Sequence, residues 1–393
     1  MNSERYRARG VSPQKEDVHA ALRDADRGLF PQAFCKLMPD VLGRDAGQVL
    51  AMHADGAGTK AALAYVAWRE WGDAAVFRGI AQDALVMNID DLLCVGATGP
   101  FLLSNTIGRN ARLVPGEVLG ALLAGYDDAC AAYAGWGLAV HATGGETADV
   151  GDLVRTLIVD ATVTTRLPRD AVVSNADVKP GDVIIGLASD GQAAWEREPN
   201  SGIGSNGLTS ARHDLLHADY ARRYPESCEP ELPAHLRYCG PYHLHDPLPG
   251  STLSVGRALL SPTRSYAPLL KPLLDGRRGL ISALVHCTGG GQTKCRHAGR
   301  GVHYVKDSPF PPPALFHAIR EVTGTPWAEL YQVFNMGHRM EVIGDAALLP
   351  ALEELGREHH IAVRQVGHCE ANTDPARNRV TITAPDGELV TYE

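Results

Sequence analysis

Several short segments of this 393-residue chain carry residues whose types and spacing suit metal and phosphate chemistry. The first spans residues 83–93. On a helix at 100° per residue, Asp83, Asp90 and Asp91 share one stripe with Met87, while Leu85, Val86, Ile89, Leu92 and Leu93 share another. No Lys or Arg stands between the carboxylates. Two such charges about 6 Å apart repel by roughly 3 kcal/mol at an effective dielectric of about 20. A divalent cation removes that penalty, and magnesium prefers carboxylate oxygens. Taken alone, the helix is explained equally well by a solvated polar face.

Two glycine-rich segments add to it. Asp55-Gly56-Ala57-Gly58-Thr59-Lys60 follows an apolar, strand-like run, so its glycines let backbone amides approach an anion. It is not a Walker A loop, because the order is Gly-Thr-Lys and the upstream glycine spacing differs. Thr143-Gly144-Gly145-Glu146-Thr147 reads as a glycine turn after a second strand and brings a further carboxylate. Carboxylates at two strand ends and on one helix suit a metal–nucleotide site.

Further along, Gly204-Ser205-Asn206-Gly207 precedes a helix and suits phosphate at that helix's N-terminus. Ser261-Pro262-Thr263-Arg264 offers hydroxyls and a guanidinium whose planar fork matches phosphate. His286-Cys287-Thr288-Gly289-Gly290-Gly291 sets an imidazole at the mouth of a triple-glycine turn. Cys287, Cys295 and His297 lack the short cysteine pair of a structural zinc site. Each segment alone is more readily structural than functional.

The elements that must position these residues alternate. Residues 49–54 read as a strand, 81–95 as a helix and 101–107 as a strand. Pro115 reads as the first residue of an Ala-rich helix through Tyr133, and residues 138–142 and 154–165 read as strands. Residues 167–182 read as a linker. Beyond it, 183–188, 339–343, 361–366 and 379–383 read as strands and 348–355 as a helix. Residues 192–203 and the His-, Pro- and Tyr-rich 217–250 read as irregular surface insertions. The expectation is an α/β chain of two domains, residues 1–175 and 176–393.

Composition narrows the class. A net charge of −9 with no basic block argues against a nucleic-acid binder, yet leaves room for a locally positive pocket. No run of eighteen apolar residues predicts a membrane helix, and the polar N-terminus does not resemble a signal peptide. Eight scattered cysteines then fit reduced thiols in a cytoplasmic protein.

In this order, the segments resemble the aminoimidazole ribonucleotide synthetase family, the phosphoribosylformylglycinamidine cyclo-ligases, over nearly the whole chain. Asp55 to Lys60 resembles the family's D-G-V-G-T-K turn. Asn88-Ile89-Asp90-Asp91-Leu92 resembles V-N-D-L, with Asp90 where asparagine is usual, and Gly144-Gly145-Glu146-Thr147-Ala148 is the family's G-G-E-T-A. Ser205-Asn206-Gly207, Ser261 to Arg264, His286 to Gly291 and Phe334-Asn335-Met336-Gly337 resemble S-N-G, A-P-T-R, H-L-T-G-G-G and F-N-x-G. The longer form, with Met52-His53-Ala54 and the run through Met340, is similar to that of Bacteroidetes-type bacteria. Two motifs depart from the pattern. Gly10 to Glu16 lacks the usual aspartate and last glycine, and the loop before Ser205 is widened and lacks its histidine.

The resemblance implies a first domain that dimerises through a shared β-barrel and a C-terminal α/β domain contributing to a substrate cleft. It implies ATP and Mg2+ beside Asp55, Gly56, Gly58, Thr59, Lys60, Asp83, Asp90, Gly144, Gly145, Glu146 and Thr147, with Lys15 over the triphosphate. Asp55, Asp90, Asp91 and Glu146 would hold the metal. Ser205, Asn206, Gly207, Thr263, Arg264, Gly289 and Gly290 would contact formylglycinamidine ribonucleotide, and His286, Lys60 and Asp91 would carry the chemistry. Histidine changes charge near neutral pH, which suits His286 to proton transfer.

Other readings remain. A selenophosphate synthetase needs a reactive cysteine in the N-terminal arm, and Gly10 to Glu16 has none. A hydrogenase maturation protein needs a terminal cysteine, whereas this chain ends Thr391-Tyr392-Glu393. Thiamine monophosphate kinase lacks the late Phe334-to-Gly337 motif. A nucleotide-binding scaffold would have lost the carboxylates, which are present.

Overall fold

The computed structural model describes residues 4–11, 20–22 and 24–393. Its first sheet comprises β1 (Leu37–Pro39), β2 (Gln48–Gly56), β3 (Phe101–Arg109), β4 (Val140–Asp149) and β5 (Leu157–Pro168), in the order β1-β2-β5-β3-β4. All neighbours are antiparallel except β3 and β4. β5 alternates buried and open positions along its length, so one face packs on the helices Lys60–Trp71, Val76–Leu93 and Gly116–Gly135. The other face is half-buried to exposed, with no helix packed on it among the described residues.

The second sheet gathers β6 (Val183–Ala188), β9 (Ile281–His286), β10 (Val302–Lys306), β11 (His338–Gly344), β12 (Val363–Ala371), β13 (Arg379–Thr383) and β14 (Leu389–Tyr392). The pair β7 (Asp190–Gly191) and β8 (Asn200–Ser201) stands apart. The strand order is β14-β13-β10-β12-β6-β11-β9. β6 and β11 are buried at every position, as strands covered on both faces are.

Three sequence expectations change. The helix expected from residue 81 begins at Val76, and every residue from Asp83 to Leu93 is buried. It has no solvated face because the sheet covers one side and the second half of the chain covers the other. Residues 143–147 are not a turn after a strand; they lie within β4, an edge strand. A register shift opposite Leu103–Asn105 makes room for them, and Gly144 adopts φ 100° there. A side chain at Gly145 would collide with the Asn105 backbone. Finally, the two insertions are packed. Tyr220, Tyr224, Leu236, Tyr238 and Leu244 are all buried within the 217–250 segment.

The N-terminal residues also cross over. Arg9 forms a bidentate pair with Asp214 (2.9 and 2.7 Å) and donates to the Leu236 carbonyl (3.0 Å), so this residue lies on the second half.

Candidate functional site

The Val76–Leu93 helix runs along the seam between the two halves and spends its carboxylates there one by one. Asp83 accepts from Lys60 Nζ (2.9 Å), from the Thr263 amide (2.7 Å) and from Thr263 Oγ1 (2.5 Å). Lys60 also donates to the Ser261 carbonyl (2.6 Å), and both charges are fully buried. Asp90 accepts from Ser265 Oγ (2.6 Å) and the Tyr266 amide (3.0 Å); burial raises its carboxyl above the usual range. Asp91 accepts from His286 Nδ1 at 2.7 Å and faces His53 Nε2 at 3.4 Å. Burial pushes the Asp91 carboxyl up, but the His286 hydrogen bond and charge outweigh it and hold it below its ordinary value.

An ionised Asp91 can only accept, so His286 Nδ1 carries a proton, and in the neutral form of the ring Nε2 carries the lone pair. That Nε2 is buried and has no partner. Asp83 Oδ2 and the Nε and Nη1 atoms of Arg339 are buried and unpartnered as well. Unsatisfied buried polar atoms are costly, so a group of them beside one seam points to a polar ligand that satisfies them.

The loops expected to bind ligand converge on the same seam. Thr59 Oγ1 lies 2.8 Å from Thr209 Oγ1, which joins the Asp55–Lys60 segment to the helix after Ser205-Asn206-Gly207. Ser205 Oγ reaches Thr263 Oγ1 at 3.3 Å, and Gly289 lies beside Asn206. Gly207 has φ 77° and lies against the Phe334 ring, which leaves no room for a side chain. Gly290, with φ 103°, opens the short helical turn that follows.

Arg264 is different. Its Nε and Nη2 grip Glu196 (3.0 and 2.6 Å), and its remaining donors reach the carbonyls of Ala188, Asp190 and Gly191. All five N–H groups are engaged. The guanidinium expected at substrate phosphate instead fastens the 192–203 insertion.

The four expected metal ligands do not form one group among the described residues. Asp90 has both oxygens engaged, and Asp91 is paired with His286. Asp55 and Glu146 are exposed on the first sheet. Between their strands lies a residue the sequence reading missed, Asp160. The register aligns Gly56, Asp160, Thr106 and Glu146 in one row. Burial and then the nearby Asp55 charge raise the Asp160 carboxyl. Lys15 lies outside the described residues.

Comparison with known proteins shows the family of the chain. The family model described as "AIR synthase related protein, N-terminal domain" matches residues 38–167, and its C-terminal counterpart matches residues 179–377. The chain belongs to the AIR synthase related family. One relative, the phosphoribosylformylglycinamidine cyclo-ligase of Methanothermobacter thermautotrophicus, is 32% identical over 289 residues, covering 73% of this chain and 71% of its own. That of Methanococcus maripaludis is 26% identical over 377 residues, covering 94% and 93%. Thiamine monophosphate kinase of Aquifex aeolicus shares the fold at a TM-score of 0.53 and 12% identity, covering 99% of each chain. The Stenotrophomonas maltophilia kinase does so at 0.51 and 17%, covering 96% of each.

His53, Asp160 and Arg339 are residues at this seam and on the first sheet that sequence reasoning passed over. His53 and Asp160 had a signal, since each is a titratable side chain set among apolar or Thr residues in a strand. Arg339 had none, because nothing local marks an arginine whose partners lie across the fold.

Proposed function

We propose that this chain is a ligase, an ATP-dependent cyclo-ligase that converts formylglycinamidine ribonucleotide to aminoimidazole ribonucleotide with release of ADP and phosphate. The family membership and the relatives' names support the reaction. The observation that carries the site is the buried Asp91–His286 pair, which joins the two halves and leaves Nε2 without a partner among the described residues. We assign substrate to that seam.

In this reading ATP phosphorylates the formamide oxygen, the amidine nitrogen attacks the same carbon, and the C–O bond to phosphate breaks. His286 Nε2 takes the proton that the attacking nitrogen loses, while Asp91 steadies the imidazolium. Arg339 meets the anionic oxygens with its free donors. Holding both ends of one molecule in the seam makes ring closure intramolecular. The Asp55–Lys60 segment and the glycines Gly144 and Gly145 border the nucleotide.

Asp55, Asp160 and Glu146 on the first sheet do not meet at one point among the described residues, so magnesium held there would take water and phosphate oxygens as its remaining ligands. Asp160 is raised in part by Asp55, which is the crowding a dication relieves. Asp55, Asp160 and Glu146 would hold it, and it would neutralise phosphate oxygens there. Asp160→Asn and Glu146→Gln are therefore expected to raise the magnesium concentration needed for half-maximal rate by about tenfold or more. An unaltered magnesium curve in both variants would remove these residues from the metal site.

The helix-free face of the first sheet supports a homodimer. Met52, Leu102 and Ile158 lie on it at 68%, 51% and 41% exposure. Apolar side chains gathered on one open sheet face mark an interaction surface. Light scattering is expected to give a dimer for the parent and a monomer for Met52→Lys/Leu102→Lys; a monomeric parent rejects the pairing. The domain boundary at 175/176 falls in the stretch between the two family-model matches.

The deciding assay measures ADP release with ATP and magnesium, with and without formylglycinamidine ribonucleotide. Substrate-dependent ADP release with matching aminoimidazole ribonucleotide supports the reading. ATP binding without stimulation by that substrate moves the chain to another ATP-dependent reaction of the same superfamily or to a nucleotide-binding scaffold.

A further inference from the structure

Away from the seam, the 217–250 insertion brings histidines and carboxylates together that the proposed reaction does not use. His217 Nδ1 lies 3.3 Å from Asp219 Oδ2, and His243 Nε2 lies 3.6 Å from the same oxygen. The three donor atoms all fall within 4.8 Å of one another. A tetrahedral zinc with bonds of about 2.0–2.1 Å has ligand-to-ligand edges of about 3.3–3.4 Å. The observed spacings need only small side-chain movements to meet that geometry.

We propose that His217, Asp219 and His243 form a binding site for a transition-metal dication of the zinc class.

Asp219 Oδ2 is the point on which the two rings converge. The Asp219 amide reaches His217 Nδ1 through a long contact of 3.3 Å, which gives way when that nitrogen's single lone pair turns to a metal. Asp219 Oδ1 is occupied by Arg222, which leaves Oδ2 for the histidines. Two imidazoles and one carboxylate favour zinc over magnesium, which takes oxygen ligands. The three residues are partly exposed, so an ion can enter and water can complete its shell.

Surrounding groups hold the donors in place. Asp246 Oδ2 accepts from the His243 amide (2.6 Å) and faces the other ring nitrogen of His243 at 3.7 Å, where an outer carboxylate orients a metal-binding histidine. The His217 and His243 rings lie 4.8 Å apart. The His217 amide donates to the Tyr242 carbonyl (2.8 Å), and the Leu244 amide donates to buried Tyr220 Oη (2.8 Å). The ends of the 217–243 loop are thus already joined.

An ion there closes that loop and acts as a clip. The loop holds the helix that begins at Lys60: Tyr65 donates to Glu226 (2.5 Å), and Tyr224 and Arg223 reach Glu70 (2.5 and 2.7 Å). Stabilising the loop stabilises its grip on the first half of the molecule.

The test is titration of the full-length, EDTA-stripped chain with Zn2+ alone, without nucleotide, by calorimetry, followed by the visible spectrum with Co2+. The expected result is one equivalent bound, a raised melting temperature and a cobalt spectrum free of thiolate charge transfer. His217→Ala and His243→Ala are expected to abolish the binding. Asp219→Asn keeps shape and ring contacts, and is expected to weaken it by about tenfold or more even if either alanine variant folds poorly. No zinc binding by the parent, full binding by Asp219→Asn, or a thiolate band that places the metal at the cysteines instead would each overturn the site.

Discussion

Replacing His286 with alanine is expected to lower kcat by about 10²–10⁴-fold, the usual contribution of a positioned general acid–base group. Nucleotide binding should survive, because no nucleotide-facing segment touches the imidazole. Asp91→Asn supplies the sharper comparison. Its amide would donate to His286 Nδ1 and drive the ring proton to Nε2, which removes the lone pair from the seam while keeping the ring in place. The two variants should therefore lose turnover to a similar degree. Folding is checked by circular dichroism and nucleotide binding by fluorescence, so that a collapsed protein is not mistaken for an inactive one. Near-parental turnover in His286→Ala would end the proton-transfer assignment, and full activity in Asp91→Asn would end the role of the pair.

The sequence revealed the strands better than it revealed what surrounds them. Residues 183–188 and 379–383 were read at the bounds the fold shows, because apolar runs flanked by turn residues are local signals. The Val76–Leu93 helix was also read as a helix, yet its apolar stripe gave no hint that its acidic stripe is buried too. Burial of that stripe depends on Lys60, on Thr263, Ser265 and Tyr266, and on His286, which come from three distant segments. Periodicity cannot see such partners. Gly144 and Gly145 were read as a turn because glycine pairs usually mark one, whereas here they relieve crowding at a bulge in an edge strand. The same limit applied to the site. His286 and Asp91 each stood out by type, but only the fold joins them at 2.7 Å. Arg264 matched a phosphate-binding type, and the fold gives all its donors to Glu196 and three carbonyls instead.

Lys306→Met is expected to destabilise the chain by about 3–5 kcal/mol, as the loss of one partner from a buried ion pair does. Lys306 and Glu341 are fully buried in the second sheet and bonded to each other, and Lys306 Nζ also donates to the Gln292 backbone carbonyl (2.6 Å) and Oε1 (3.0 Å). His338 Nε2 lies 2.9 Å from the same Glu341 oxygen. Without the ammonium, Glu341 keeps its charge in an apolar interior with only His338 beside it, and its Oε2 already lacks a partner. Urea unfolding at neutral pH measures the loss. The double variant Lys306→Met/Glu341→Gln should recover much of it, because no unpaired charge remains; equal instability of the single and double variants would show that packing dominates. The pH dependence has a definite sign. Burial raises the Glu341 carboxyl, but Lys306 and His338 outweigh it and hold it down at about 2, against an ordinary value of 4.5. A carboxyl so depressed stabilises fully above its unfolded value and loses that stabilisation as pH falls from about 4.5 toward about 2. Burial lowers the His338 value as well, so charging of the unfolded histidine begins to erode stability below about pH 6.5. Stability should be flat from there to moderately alkaline pH, because the Lys306 value is raised. In Lys306→Met the acid limb should begin at higher pH, since the ammonium that held Glu341 ionised is gone.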